Sequence, residues 1–369
     1  MSDDTNFMRL ALALGRRGLG TTWPNPSVGA VVVEPATGRI LGTGATAPGG
    51  RPHGEPLALA AAGDAARGAT LYVTLEPCSH HGRTPPCTDA ILNSGIARVV
   101  SAIEDPDPRV AGRGHALLRA GGVTVETGLL QDAAARDHVG HITRVTRGRP
   151  ALHLKLARTR DGFCAAAGPE RLRITGPVAD GAVHLWRARA DAILIGIGTA
   201  RADDPSLTVR LPGLAARSPL RIVLDTHLRL SPASVLARTA RDTPTLVLTT
   251  RSAPAHARRA LEALGVEVAA VPADAAGGID LPAALAHLGE RGLTRLCSEG
   301  GPRLAEALAR ADLIDACTLV TGPVELGPAG GLPALGPVLA EALASDRFRE
   351  AERSQLGPDA AVTYERNRT

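Results

Sequence analysis

The chain is 369 residues long and 44% of them are apolar, which suffices for a sizeable core and predicts two domains. Its net charge of +4 is diffuse and only seven residues are aromatic, a composition that disfavours a binder of single-stranded nucleic acid and favours a small phosphorylated substrate. Five widely spaced cysteines argue against a disulfide framework, and the absence of a secretion signal or an unbroken apolar run of about 18 residues predicts a soluble cytoplasmic protein.

Short apolar strands alternate with helices along the first half of the chain. Apolar residues recur at helical spacing over 7–19, the apolar run 28–33 predicts a buried strand, and a glycine-rich turn is expected at 42–50. Further strands are predicted at 70–75, 97–103 and 123–126, and further helices at 57–62, 87–93, 112–120 and 131–146. This alternation is typical of an α/β layered domain.

A boundary is predicted at the Arg-Gly-Arg-Pro run of residues 147–150, which divides the chain into domains 1–147 and 150–369. The second half begins again with an apolar strand. Its predicted strands are followed mostly by helical stretches, which indicates a second α/β domain with a largely parallel sheet. These strands are predicted at 151–157, 192–196, 220–225, 245–249, 266–271 and 294–298.

One histidine, two cysteines and a glutamate form the strongest chemical pattern. His53, Cys78 and Cys87 offer one imidazole and two thiolates, which zinc accepts in tetrahedral geometry. Three protein ligands leave a fourth position for water, whose pKa zinc lowers to about 7. Glu55, two residues after His53, is then predicted to carry a proton from the water to a leaving amine. The alternative is two buried thiols and an ordinary loop histidine.

The run of residues 76–87, Glu-Pro-Cys-Ser-His-His-Gly-Arg-Thr-Pro-Pro-Cys, resembles the deaminase signature of the RibD family of riboflavin-biosynthesis enzymes. The resemblance implies a cytidine-deaminase-like three-layer α/β/α domain. It also implies that Asn25, within Pro-Asn-Pro-Ser-Val-Gly, holds the pyrimidine and that His80 and Arg83 face the ribose and phosphate. Without the resemblance, Asn25 fits a turn equally well, and His80 and Arg83 fit a solvated loop.

The second half resembles the family's reductase domain, whose fold is similar to dihydrofolate reductase. Lys155, the one lysine among 41 basic residues, stands in Lys-Leu-Ala, and residues 191–199 and 203–210 resemble the family's DAILVGxGT and DDPxLTVR segments. Lys155 is expected either to anchor a phosphate or to polarise the sugar carbon that accepts hydride. The resemblance implies substrate contacts by Lys155, Arg187, Asp203, Leu207, Arg210 and Glu299, and NADPH contacts by Ala157, Thr199, Gly301, Pro302, Arg303, Leu304, Ala305, Glu306 and Ala307.

Two physical features agree with these assignments. The guanidinium groups of Arg187 and Arg210 suit a phosphate, which arginine binds with paired hydrogen bonds. The turn of residues 299–302 leads into a predicted helix, whose first N–H groups and dipole favour the phosphates of a dinucleotide.

Several positions depart from the family pattern. Thr46 replaces a histidine that many members carry, and Gly54 and Pro56 replace an alanine and a valine around Glu55. In the second half a serine and a tryptophan that usually meet substrate and cofactor are missing, and the KLAxSLDG segment is altered. Arg171 and Arg173 stand where that serine and tryptophan are expected, and Thr159 and Arg160 alter the KLAxSLDG segment.

The sequence therefore predicts a bifunctional enzyme with Zn²⁺ and NADPH. Its first half deaminates 2,5-diamino-6-ribosylamino-4(3H)-pyrimidinone 5′-phosphate and its second half reduces the ribose to ribityl, and a homodimer through the reductase domain is expected. The departures favour, as an alternative, a paralogue with the same chemistries on another pyrimidine. A nucleic-acid-binding zinc protein is disfavoured by the scarce aromatic residues and the reductase-like half, and no membrane partner is expected.

Overall fold

The computed structural model describes residues 3–82, 85–166 and 172–367, so Arg83 and Arg171 lie outside the described part. The chain forms two compact units, residues 1–150 with 291–294, and residues 151–290 with 295–369. Within the described ranges, each helix is too short or too polar to cross a membrane.

The first unit is a five-stranded sheet between two helical layers. The sheet has the order β2-β1-β3-β4-β5, in which β3, β4 and β5 are parallel and β1 is antiparallel to both of its neighbours. Helix α1 packs with β1, β3 and α5, whereas α2, α3 and α4 form the other layer. The strands are β1 Gly29–Val33, β2 Ile40–Ala45, β3 Thr70–Val73, β4 Arg98–Ser101 and β5 Thr124–Thr127, and the helices are α1 Asp3–Arg16, α2 Gly54–Ala62, α3 Cys87–Ser94, α4 Arg113–Ala120, α5 Gln131–Asp137 and α6 Val139–Arg147.

Two expectations for this unit were wrong. The predicted glycine-rich turn at 42–50 begins with the edge strand β2, because its glycines let helix α2 lie close against it. A Cβ on Gly42 would stand 2.2 Å from the carbonyl oxygen of Ala58, and one on Gly44 would stand 2.2 Å from that of Gly54. The predicted helix 131–146 is divided into α5 and α6 at His138, whose imidazole Nε2 lies 3.0 Å from the Thr74 hydroxyl.

The second unit contains a nine-stranded sheet with the order β11-β10-β9-β8-β12-β6-β13-β16-β15. All neighbours from β11 to β13 are parallel, and β16 and β15 complete one side in antiparallel pairing. The short strands β7 and β14 pair separately. The strands are β6 Ala151–Arg158, β7 Phe163–Ala166, β8 Ala192–Gly196, β9 Leu220–Leu224, β10 Thr245–Thr249, β11 Glu267–Ala270, β12 Arg295–Ser298, β13 Ala316–Thr321, β14 Gly331–Pro333, β15 Phe348–Leu356 and β16 Asp359–Arg366.

The helices of this unit mostly follow strands, as the sequence predicts for parallel pairing. They are α7 Pro177–Ala188, α8 Ile197–Asp203, α9 Val235–Arg238, α10 Ala255–Glu262, α11 Leu281–Glu290, α12 Pro302–Arg310 and α13 Pro337–Ala344. The register pairs Leu154 of β6 with Ser298 of β12, and Ser298 with Leu194 of β8. The carboxyl ends of β12 and β8 therefore lie close together beside the middle of β6, and the carboxyl edge of parallel strands is where such sheets form their binding sites.

Candidate functional site

Three elements of the first unit bring the predicted metal ligands together. His53 precedes α2, Cys78 lies in the loop after β3, and Cys87 is the first residue of α3. The His53 Nδ1 atom lies 3.3 Å from Cys87 Sγ and 3.7 Å from Cys78 Sγ, and all three ligand atoms lie within 4.8 Å of one another. Tetrahedral zinc with these donors separates nitrogen from sulfur by about 3.6 Å. The spacing therefore fits zinc.

The charge of the two sulfurs also fits a divalent cation. Hydrogen bonds from the Cys87 thiol, from His53 and from the Cys87 backbone N–H lower the pKa of Cys78 to about 4. The Cys78 sulfur in turn raises the pKa of Cys87, and burial adds to this effect. The pair holds on to one proton because two thiolates repel each other in a buried place. A bound dication removes that repulsion, which favours the metal-site interpretation over two inert thiols.

Glu55 lies in the first turn of α2 and only 3% of its surface is exposed. Burial and the neighbouring Cys78 sulfur raise the pKa of Glu55 to about 7, so its carboxyl group exchanges a proton near neutral pH. Gly54 explains part of the departure from the family pattern, because a Cβ there would stand 2.6 Å from the carbonyl oxygen of Val28. Pro56 sits where the helix requires no N–H donor.

The predicted pyrimidine residue Asn25 has a fixed orientation. Its amide nitrogen Nδ2 donates a 2.7 Å hydrogen bond to the carbonyl oxygen of Gly50, which leaves Oδ1 to accept from a ligand. The Nδ1 atom of His80 is buried and has no hydrogen-bond partner within residues 3–82, 85–166 and 172–367. Thr46, by contrast, is buried and bonds the backbone of Val28 through its hydroxyl, so it serves the fold.

Sequence reasoning missed a buried polar network beside this site. Asp105 follows β4, and its Oδ1 atom lies 2.8 Å from His141 Nε2 and accepts a 2.9 Å hydrogen bond from the Asp107 backbone. Glu76, two residues before Cys78, accepts the Asp105 backbone N–H at 3.1 Å. The signal was present as the Asp-Pro-Asp-Pro run of residues 105–108, which begins two residues after the end of a predicted strand.

In the second unit, Glu299 directly follows the end of β12, and the Leu154–Ser298 pairing places it beside Lys155 in the middle of β6. The Glu299 carboxylate accepts two hydrogen bonds from Arg187, of 2.6 Å and 2.7 Å, and only 11% of each side chain is exposed. Burial alone would raise the pKa of Glu299, but Arg187 and Lys155 lower it. Glu299 therefore remains a carboxylate.

A third nitrogen of the Arg187 guanidinium also bonds within the protein. Arg187 Nη1 donates a 3.0 Å hydrogen bond to the carbonyl oxygen of Thr208, so the guanidinium holds both Glu299 and the substrate segment 203–210. Arg210 is exposed and donates a 2.8 Å hydrogen bond to Ser206 through Nη1 only. Of these two arginines, Arg210 has the more available donors for a phosphate.

The other residues of the substrate segment are placed differently. Asp203 is exposed at the end of α8, whereas Leu207 is 3% exposed and adopts a left-handed φ of 53°. Sequence reasoning missed His184, whose Nδ1 atom accepts a 3.4 Å hydrogen bond from the Arg210 backbone. The signal was its position three residues before Arg187, on the same face of α7.

Thr199 and Gly301 meet at the predicted cofactor site. The backbone N–H of Gly301 donates a 3.1 Å hydrogen bond to Thr199 Oγ1, at the start of the nine-residue helix α12. Pro302 has no N–H, and the Leu304 N–H bonds the Gly301 carbonyl at 3.0 Å, so this helix start offers a phosphate the helix dipole and the Arg303 N–H. Ala157 lies on the adjacent strand β6.

The side chains of α12 are divided between the protein interior and the surface. The Glu306 carboxylate accepts hydrogen bonds from the backbones of Val338 and Leu339 at the start of α13, which makes it a helix cap. Ala305 is buried, Arg303 is exposed, and Leu304 and Ala307 are partly buried.

The described departures of the second half lie in surface or turn contacts. Arg173 pairs with Asp180 at 3.0 Å and Arg160 pairs with Glu325 at 3.3 Å, in each case between exposed side chains. Thr159 is buried and bonds Asp161 within a turn.

Comparison with known proteins finds two family models along the chain. Residues 150–362 match the RibD C-terminal domain, and residues 1–103 match the cytidine and deoxycytidylate deaminase zinc-binding region. The Riboflavin biosynthesis protein RibD of Escherichia coli strain K12 is 39% identical over 97% of this chain and 98% of its own, and that of Aquifex aeolicus is 38% identical over 98% of each.

Solved structures give the same result. Acinetobacter baumannii RibD aligns with a TM-score of 0.86 at 33% identity over 99% of both chains. A diaminohydroxyphosphoribosylaminopyrimidine deaminase/5-amino-6-(5-phosphoribosylamino)uracil reductase from Thermotoga maritima aligns with a TM-score of 0.83, also at 33% identity over 99% of both chains. The predicted fold class is confirmed, and the paralogue alternative is not favoured. The chain belongs to the RibD family and is a bifunctional enzyme of riboflavin biosynthesis, with a zinc-dependent deaminase and an NADPH-dependent reductase.

Proposed function

We propose that domain 1–147 deaminates 2,5-diamino-6-ribosylamino-4(3H)-pyrimidinone 5′-phosphate and that domain 150–369 reduces the ribose of the product to ribityl. The observation that carries the proposal is the convergence of His53, Cys78 and Cys87 beside the buried Glu55. The printed name of the Thermotoga maritima relative, a deaminase and reductase of such phosphoribosylaminopyrimidines, supports the choice of substrate.

In the deaminase, Glu55 moves the proton. Zinc held by His53, Cys78 and Cys87 supplies Lewis-acid activation of water. Glu55 accepts a proton from the attacking water and delivers it to the amino group that leaves as ammonia, a task suited to a carboxyl with a pKa of about 7. Asn25 orients the pyrimidine by accepting a hydrogen bond at Oδ1, and the hydrogen bond from its Nδ2 to the Gly50 carbonyl fixes the amide in place.

In the reductase, Lys155 is the proton donor. Thr199 and the start of α12 would hold NADPH, which would supply a hydride to C1′ of the ribose. The bond from C1′ to the ring oxygen breaks, and that oxygen takes a proton from the Lys155 ammonium group. Glu299 does not supply this proton because Arg187 keeps it ionised.

Replacement of Lys155 separates this role from a phosphate anchor. Lys155→Arg keeps the positive charge but presents a group that holds its proton at pH 7. We expect the kcat of the reductase to fall by about 10²–10⁴-fold in this variant, as in Lys155→Met, with little change in the KM of the substrate. NADPH absorbance with the deaminated substrate measures the rate. An arginine variant with normal kcat would assign Lys155 to charge alone.

Replacement of Arg210 tests how the phosphate is held. We expect Arg210→Ala to raise the KM of the reductase substrate by about 10-fold or more, since a charged hydrogen bond contributes roughly 1.5–3 kcal/mol. The KM of NADPH should stay unchanged, and Arg259→Ala, which removes an exposed arginine on α10, is the matched control. Equal substrate KM values in the two variants would place the phosphate elsewhere.

The complete function is tested with the purified protein. The deaminase substrate and NADPH are supplied together, and ammonia and NADPH absorbance are followed in time. We expect ammonia release without NADPH, and NADPH oxidation only after ammonia has formed. NADPH oxidation without deamination would contradict the proposed order. The homodimer and the cytoplasmic location stay predictions, and sedimentation equilibrium measures the oligomeric state.

A further inference from the structure

Glu76 occupies an unusual position between the sheet and the metal ligands. Its side chain is fully buried, yet its two carboxylate oxygens accept four backbone hydrogen bonds. All four donors belong to one segment, residues 105–115, which runs from the loop after β4 into the first turn of α4. Oε2 accepts from Asp105 at 3.1 Å and Gly112 at 2.9 Å, and Oε1 accepts from Gly114 at 2.8 Å and His115 at 3.3 Å.

Backbone N–H groups balance the charge of this carboxylate. Convergent N–H groups form an anion-binding nest, and here the anion is a side chain of the same protein. The nearby His115 adds no positive charge at pH 7, since burial lowers its pKa. A carboxylate with N–H donors on both oxygens has little capacity left for other partners.

This saturation argues against a second metal site. Glu76, Glu104 and His115 offer ligand atoms within 4.8 Å of one another. A cation there would have to displace N–H groups from Glu76, and each displaced group would be left buried without a partner. The four hydrogen bonds instead suit a structural role, in which Glu76 holds the segment 105–115 in place.

The segment 105–115, which Glu76 holds through these hydrogen bonds, lies against the stretch of chain that contains Cys78. A Cβ added to Gly114 would stand 2.1 Å from the carbonyl oxygen of Pro77, the residue between Glu76 and Cys78. On the other side, the Cys87 backbone donates to Cys78 Sγ at 3.3 Å and the Thr88 backbone donates to the Cys78 carbonyl at 3.2 Å. Cys78 is thus held between the start of α3 and the segment 105–115.

We infer that Glu76 is a positioning residue of the deaminase, which holds Cys78 in ligand geometry by drawing the segment 105–115 against Pro77. The inference rests on the proposed zinc site. It predicts that loss of the Glu76 charge weakens metal binding although Glu76 touches no metal ligand atom. Groups that orient metal ligands typically contribute 10–100-fold to metal affinity.

The test compares Glu76→Gln with Glu104→Gln in the full chain. Glutamine keeps the size of Glu76 but turns an amide NH₂ toward two N–H donors, whereas Glu104 is an exposed carboxylate beside the same segment. Transfer of zinc to a chromogenic chelator gives the affinity. We expect a 10–100-fold loss for Glu76→Gln and none for Glu104→Gln, with unchanged reductase activity in both.

Gly114→Ala perturbs the same contact without changing a charge. Its methyl group would press on the Pro77 carbonyl, so we expect it to weaken zinc binding in the same direction as Glu76→Gln. If Glu76→Gln does not fold, Gly114→Ala and Glu76→Asp are measured instead. Wild-type zinc affinity in the folded variants would overturn the inference. A wild-type protein that binds no zinc would instead overturn the proposed deaminase site.

Discussion

Glu55→Gln is expected to stop ammonia release while zinc stays bound and the reductase remains active. Glutamine has nearly the same shape but neither accepts nor delivers a proton, and general acid–base catalysis typically contributes 10²–10⁴-fold. His53, Cys78 and Cys87 are unchanged, so metal content should stay near that of the wild type. The expected result is therefore a deaminase at least about 100-fold slower in a folded, zinc-loaded protein.

Two measurements on the same sample give this experiment its controls. Elemental analysis reports zinc per chain, and NADPH oxidation with the deaminated substrate reports the second active site. A Glu55→Asp variant keeps a carboxyl group but shortens its reach, so it should fall between glutamine and wild type. Normal ammonia release by Glu55→Gln would contradict the proton role of Glu55, and loss of zinc together with activity would show that Glu55 supports the metal.

The deaminase site was predictable because its functional residues lie close together in short stretches of sequence. His53 and Glu55 are two residues apart at a helix start, and Cys78 and Cys87 flank a single loop. The rules of zinc coordination connect these residue types without knowledge of the fold. The strands predicted at 28–33 and 70–75 contain β1 and β3.

Long-range contacts decided what could not be predicted. The β2 strand looked like a turn because its glycines are explained only by the backbone of α2, which lies against them. The family resemblance implies a cofactor contact by Glu306, which stays a prediction, but nothing in the local sequence indicates that its carboxylate caps α13, which begins 31 residues later in the chain. Such contacts depend on how whole helices and strands pack against each other, and the local propensity of a sequence segment does not indicate them.

Arg187 shows the same limit within the reductase site. Its residue type and the family pattern suggest a phosphate ligand, but its partner Glu299 is 112 positions away. Only the register of β12 beside β6 and β8 brings Glu299 to the end of α7. Arg187 holds Glu299 and the Thr208 backbone, and its expected contact with the substrate stays a prediction.

This geometry makes Glu299→Gln the most damaging substitution expected in the second unit. The change leaves the Arg187 cation buried without its counter-charge, which typically costs about 3–5 kcal/mol of folding free energy. It also loosens the Arg187 guanidinium that bonds the Thr208 carbonyl and removes the negative neighbour of Lys155. A displacement of about 1 Å at a reacting group lowers rates by roughly 100-fold, so the reductase should lose activity even where the unit remains folded.

The chain provides both a reporter and a matched control for this prediction. It contains two tryptophans, and in a Trp23→Phe background the fluorescence of Trp186, next to Arg187, follows unfolding of the second unit in urea. Glu325→Gln breaks the exposed pair with Arg160, for which surface pairs suggest a change of less than about 1 kcal/mol. Equal losses in Glu299→Gln and Glu325→Gln would show that burial does not strengthen the Arg187–Glu299 pair.

A double variant then separates the effect of losing the Arg187–Glu299 ion pair from the effect of leaving the Arg187 charge buried without its partner. Arg187→Met fills a similar space without a charge, so in combination with Glu299→Gln it removes the uncompensated cation. Since an unpaired buried charge costs more than the absence of the whole pair, the double variant should be more stable than Glu299→Gln alone. It should remain inactive as a reductase, because neither Thr208 nor Lys155 regains its partner. Stability recovered without activity would therefore assign the pair to positioning of the site, whereas a double variant less stable than Glu299→Gln would show that the Arg187 cation is satisfied by other groups.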